Sequence, residues 1–143
     1  MESTQKITNV EVVQNFLSLQ YEGNIDDAFS NYAHQDFYWT VSTQNNEELN
    51  KAIPWAGKEH SGKKGYEELI TELFGEYEAK KFEVYNYYEV KDKVFAVGHF
   101  DFQHYKTGKM AQSDFIGMFT VTDGKINGGQ FYENTYAVAA SRV

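Results

Sequence analysis

The sequence predicts an α+β domain in which helices pack on one face of a curved, mainly antiparallel sheet. From Phe82 to Thr135 the residues alternate in sidedness, and the alternation breaks only at Lys91-Asp92, Thr107-Gly108 and Asp123-Gly124. These spacings describe a four-strand antiparallel meander. Three segments of helical periodicity stand ahead of it, and helices laid on one side of such a sheet usually enclose a pocket.

The first helix covers about residues 8 to 22, because Val10, Val13, Phe16, Leu17 and Tyr21 fall on one face and Gly23 supplies a stop. Asn24 caps a short second helix whose inner face is Ile25, Ala28, Phe29 and Tyr32; Asp26 and Asp27 suit its positive end. Residues 36 to 42, rich in aromatic and β-branched types, form a strand. The polar stretch from Thr43 to Lys64, which holds the one proline, Pro54, reads as a long loop. A third helix begins near Gly65 and buries Tyr66, Leu69, Ile70, Leu73, Phe74 and Tyr77. No repeat or linker interrupts residues 1–143, so one domain accounts for all 143 residues.

Composition narrows the function classes. The chain has no cysteine, which excludes disulfides, thiolate metal sites and a cysteine nucleophile. With 21 acidic against 13 basic residues and scattered lysines, its surface would repel nucleic acid. The first residues, MESTQKITNVEVV, offer neither a basic start nor an apolar run, and no stretch approaches membrane-spanning length. The expectation is a cytoplasmic protein with no membrane partner. Its 11 Tyr, 11 Phe and 2 Trp suit a ligand pocket, a subunit interface, or an aromatic core with hydroxyls at the surface.

Turn positions fix register, and register decides which side chains share a face. With tips at Thr107-Gly108 and Asp123-Gly124, one face carries Ala96, Gly98, Phe100, Phe115, Gly117, Phe119, Gln130, Tyr132 and Asn134. This is the candidate ligand face. Phe100, Phe115, Phe119 and Trp55 would form walls, and Gln130, Tyr132 and Asn134 would orient a ligand's polar end. The opposite face carries Phe95, Val97, His99, Asp101, Asp114, Ile116, Met118, Phe131 and Glu133. A symmetric partner chain is the simplest cover for its apolar part, so a homodimer is expected. Asp101, Asp114 and Glu133 would lie side by side there, as a cation site, a shared proton or a solvated rim.

Gly23 after the first helix, Pro54-Trp55-Ala56-Gly57, Gly62, Thr107-Gly108, Asp123-Gly-Lys-Ile126, and Asn134-Thr135 before Ala137-Val138-Ala139-Ala140 together resemble a SnoaL-like protein. That family belongs to the nuclear transport factor 2-like (NTF2-like) superfamily, which includes ketosteroid isomerases. The resemblance implies a cone-shaped NTF2-like fold around an apolar pocket, often in a dimer. It does not carry one activity, since the superfamily includes isomerases, cyclases, dehydratases, epoxide hydrolases and noncatalytic binding domains.

Ketosteroid isomerase activity is not expected, because Phe16, Thr40 and Gly117 fall where that resemblance places the oxyanion-binding tyrosine, the base and the second acid. Many SnoaL-like sequences end the last strand with Asp-Thr, whose carboxylate faces the pocket. Here the pair is Asn134-Thr135, and an amide does not take a proton near neutral pH. Glu133 would need a bulge to swing inward.

Among the histidines, His34 follows the second helix, His99 sits two positions from Asp101, and His104 lies near a hairpin tip. His60 lies in the long loop near Trp55, where a lid could carry it over the pocket mouth. No HExxH, GxxxxGK[ST] or GxSxG motif occurs, so a zinc hydrolase, a phosphate loop and a serine-hydrolase elbow are unsupported. No metal or cofactor is called for. The leading expectation is a pocket for a small apolar or aromatic molecule. The alternatives are a cofactor-independent isomerase, cyclase or hydratase, with His60 or Glu133 as base, and a noncatalytic interaction module.

Overall fold

A computed structural model describes residues 7–143; the reading of the amino-terminal stretch as leaderless begins outside that range. Helix α1 (Asn9–Tyr21) opens on a capping box in which Thr8 and Glu11 exchange backbone and side-chain hydrogen bonds of 2.8 and 3.1 Å. It buries Val12, Val13 and Phe16. Helix α2 (Ile25–Tyr32) starts at Asn24, whose side chain accepts from the Asp27 amide. Strand β1 (Ala33–Val41) follows without a loop.

The segment expected to be a long loop is ordered differently. It contains helix α3 (Glu47–Ala52) and strand β2 (Glu59–Ser61). Asn46 caps α3, Glu47 and Glu48 sit at its positive end and Lys51 in its last turn, so end chemistry defines a helix too short and polar to show periodicity. Helix α4 (Gly62–Glu76) starts three residues before the expected Gly65.

The meander consists of β3 (Tyr77–Val90), β4 (Lys93–His104), β5 (Met110–Thr122) and β6 (Lys125–Glu133), and the chain ends in helix α5 (Thr135–Ser141). The sheet order is β2-β1-β6-β5-β4-β3, with β1 parallel to β6 and the other pairs antiparallel. Helices cover the inner face, and β4 alternates buried and half-buried residues along its length.

Register departs from expectation twice, with different consequences. Between β4 and β5 the pairs are Gly98 with Phe115 and Ala96 with Gly117, two residues from those expected. A two-residue offset preserves the face. Between β5 and β6 the hairpin starts as expected, Thr122 opposite Lys125, with Asp123 and Gly124 both at positive φ. The register then slips by one between Thr120 and Val121, so Thr120 pairs with Gly128 and Asn127 is the extra residue of a bulge. Beyond it every β6 side chain changes sides. Phe131 and Glu133 face inward opposite Gly117 and Phe115, while Gln130 and Tyr132 face outward opposite Met118 and Ile116.

The lower end of the cone is tied by Glu76. Its Oε1 accepts from His104 Nε2 at 3.0 Å and Arg142 Nε at 2.8 Å, and its Oε2 accepts from another Arg142 nitrogen at 3.0 Å. Arg142 also donates to the Ala52 carbonyl and stands 5.6 Å from the Trp55 ring. The Glu76 carboxylate therefore joins α4, β4 and the residue after α5, and Arg142 carries the link on to α3.

The Arg142 guanidinium, with His104 beside it, holds the Glu76 carboxyl below its ordinary range. A depressed carboxyl contributes stability above its unfolded pKa and loses it as pH falls through the folded one. We expect Glu76→Ala to lower the unfolding free energy at pH 7 by about 1–3 kcal/mol, and by less near pH 3, as read by urea denaturation at both pH values. Equal losses at both would show that the ion pair contributes nothing.

Candidate functional site

Between the helices and the inner sheet face lies a cavity of about 100 Å³. Its walls are largely aromatic. Phe82, Phe115 and Phe131 stack in sequence with centroid separations of 4.8 and 5.0 Å, Phe100 lies 6.2 Å from Phe115, and Phe119 meets Trp39 at 5.0 Å. Trp39 reaches Phe119 across Gly129, where a Cβ would fall 2.1 Å from the Met118 carbonyl oxygen and 2.5 Å from the Trp39 ring. Glycine at this position lets the indole lie on the sheet.

Trp55 is an interior wall, being 2% exposed. Its loop is fastened from both sides. Asn50 donates to the carbonyls of Pro54 and Ala56 at 2.7 and 3.0 Å, and His60 donates to the Trp55 carbonyl at 2.7 Å. His60 is buried by this bond and does not line the cavity, so it is a loop fastener and not a lid residue.

Few polar groups reach the cavity. Tyr66 donates its hydroxyl to Gln20 Oε1 at 2.5 Å, and burial raises its pKa. Tyr77 is also occupied, bonding the Val138 carbonyl and Ser141 Oγ. Glu133 is different. Among the described residues its Oε2 is the one buried side-chain polar atom without a hydrogen-bond partner, and burial pushes the carboxyl up to about 7. A carboxyl poised near neutrality in an apolar cleft can give or take a proton without a change of solvent pH.

The expected polar end of the ligand face is absent. Phe100, Phe115, Phe119 and Trp55 line the cavity, whereas Gln130, Tyr132 and Asn134 do not. Gln130 bonds the Ser42 carbonyl, and Tyr132 is 41% exposed on the outer face. Asn134 caps α5 through the Ala137 amide at 3.3 Å, its own amide donating to Ser113 Oγ at 2.9 Å. The bulge at Asn127 removes the first two and brings Glu133 in their place. It also breaks up the anticipated carboxylate trio. Asp101 and Asp114 remain outside, flanking His99 at 2.7 and 2.9 Å, and these bonds, Asp114's first, raise the imidazole pKa. Phe16 and Thr40 are buried, Phe16 stacked near Phe37, and Gly117 lies on the cavity wall.

The model of the SnoaL-like domain family matches residues 13–128. The chain belongs to this family. Solved structures share the architecture of this SnoaL-like chain over nearly its full length. An NTF2-like protein from Burkholderia xenovorans LB400 is 20% identical, with 93% of this chain and 94% of that one covered at a TM-score of 0.77. A protein named as a candidate SnoaL-like polyketide cyclase, from Mesorhizobium loti, is 21% identical over 88% and 99%, at 0.66. A candidate isomerase from Bacillus subtilis is 15% identical over 95% and 96%, at 0.72. At these identities the likeness is one of fold. No curated protein matches the SnoaL-like chain in sequence. No helix among its described residues is long and apolar enough to cross a membrane.

The raised Glu133 pKa has a stability signature. Between the ordinary value of 4.5 and about 7, the folded protein keeps a proton that the unfolded chain has lost, so stability falls as pH rises through that window. Glu133→Gln removes the penalty. The variant should be more stable than the parent at pH 8 by roughly 3 kcal/mol and nearly equal to it at pH 4.5, measured by urea denaturation. A variant less stable at pH 8 would place the carboxylate in a favourable environment.

Proposed function

We propose that this SnoaL-like protein binds a small, largely apolar molecule in its cavity and moves a proton on it through Glu133, as a cofactor-independent enzyme of the isomerase, cyclase or hydratase type. The observation that carries the reading is the unpartnered, buried Glu133 Oε2 in an otherwise aromatic chamber. A structural carboxyl would be expected to have hydrogen-bond partners, since leaving one unsatisfied is costly. Here the missing partner is supplied by the ligand. The aromatic walls shield Glu133 Oε2 from water and keep the carboxyl near neutrality, which matches its proton affinity to general acid or base work.

Phenylacetone serves as a minimal probe, a ring with an adjacent acidic C–H. The Glu133 carboxylate takes the α-proton, the C–H electron pair passes into the enolate, and a proton exchanged with solvent returns to carbon. In D₂O, deuterium incorporation followed by NMR should be accelerated by the parent protein, with a rate that rises with pH to a plateau and a midpoint near 7. Glu133→Gln should lower it about 100-fold or more. Equal rates for parent and variant would remove Glu133 from the chemistry.

We also propose that the outer sheet face pairs with a second copy of the chain. Ile116 is 43% exposed there, alongside the partly exposed Phe95, Val97 and Met118. A contiguous apolar sheet face of this kind supports an isologous contact. Sedimentation velocity should return twice the chain mass, and Ile116→Lys should weaken the dimer at least tenfold. A monomeric parent at micromolar concentration would overturn the pairing.

A further inference from the structure

The chamber around Glu133 is not closed on all sides. It continues into an open groove of about 560 Å³ between α1 and β3, the sheet's edge strand. Leu17, Gln20, Phe74, Phe82 and Phe102 border both spaces and form the neck between them. Beyond the neck the groove floor is Ala79, Val84 and Tyr87 of β3, and the opposite wall is α1 at Ser18 and Tyr21. The inner chamber is small. A cavity of about 150 Å³ accommodates one benzene ring, so about 100 Å³ holds a short chain or the leading part of one ring, the rest of which lies in the neck.

The neck carries one polar device. The Tyr66 hydroxyl occupies Gln20 Oε1, and no hydrogen bond from Gln20 Nε2 to the described residues is formed. Two amide N–H donors are thus left at the junction of the two spaces, held by a tyrosine packed among Phe16, Phe29 and Phe37. A donor placed at an apolar constriction selects an oxygen acceptor at that point of the ligand.

We propose that the ligand is elongated: a single ring or short apolar end in the inner chamber beside Glu133, an oxygen acceptor at the Gln20 neck, and an apolar tail lying in the groove between α1 and β3. The proposal rests on the reading of the inner chamber as the reaction site. It adds that the outer groove sets substrate length. The molecule would be an aryl or short-chain ketone, enone or related oxygenated compound bearing an extended hydrocarbon arm, and not a compact polycyclic system.

Both tryptophans of the chain line the inner chamber, so quenching of intrinsic fluorescence reports occupancy. The test compares 1-phenyl-2-alkanones from phenylacetone to 1-phenyl-2-decanone. Affinity should rise about two- to fourfold per added methylene until the groove is filled, and then level off. Ser18→Phe and Ala79→Phe, on opposite sides of the groove, should each bring the long-to-short ratio of dissociation constants to within about twofold of one. Circular dichroism identifies a misfolded variant, in which case the other decides.

The outcomes separate the two readings. If phenylacetone neither quenches the parent nor exchanges deuterium with it, the inner-chamber reading fails. If phenylacetone binds and its longer homologues bind no tighter, the tail assignment fails alone. Tighter binding that both groove variants leave unchanged would place the tail elsewhere and also overturn the proposal.

Discussion

The extra residue at Asn127 determines what the cavity contains. Without the bulge, Gln130 and Tyr132 would point inward and Glu133 outward, giving a neutral polar pocket with an acidic outer face. With it, an unpartnered carboxyl enters a chamber of phenyl rings, while an amide and a phenol move to the exterior. The slip is stabilised locally. Thr122 Oγ1 donates to Asn127 Oδ1 at 3.1 Å, and His34 Nε2 donates to the Thr122 carbonyl at 3.1 Å. A register slip of one residue turns a strand's side chains to the opposite face, so these contacts decide which side chains line a cavity several residues away.

The remainder of the structure holds the surroundings of that carboxyl in place. Asn50 and His60 hold the Trp55 loop, Arg142 spans Trp55 and Glu76, and Tyr77 is engaged by α5. None of these polar groups is left to solvate Glu133. The walls are therefore assembled before any ligand arrives, which reduces the reorganisation a bound molecule must induce.

Much of the fold was legible because its signals are local. Gly23 stops α1, Asn24 caps α2, and Asp123-Gly124 turns the last hairpin where expected. Phe100, Phe115 and Phe119 fell on the cavity side because the register error between their strands was even. The error in β6 was odd, and its signal was present. Ile126 and Phe131 are both inward apolar residues five positions apart, a spacing that shares a face only across a bulge, and Gly128-Gly129 between them marks where one fits. Helix α3 was hidden because it buries no residue, and the joining of α3, α4 and α5 through Glu76 depends on contacts up to 90 residues apart that no local pattern encodes.

The parallel pairing of β1 with β6 has a consequence for the chain's birth. Strands β1 and β2 join the rest of the sheet only through β6, the last strand to be made. Until Lys125–Glu133 emerges, the Phe37-Tyr38-Trp39 run has no parallel neighbour, and its ring surface and one row of backbone groups wait unpaired. Closure then spans roughly ninety residues, a slow step for a small domain. The cavity between helices and sheet is therefore without its Phe131 and Glu133 wall until β6 has been made and paired with β1.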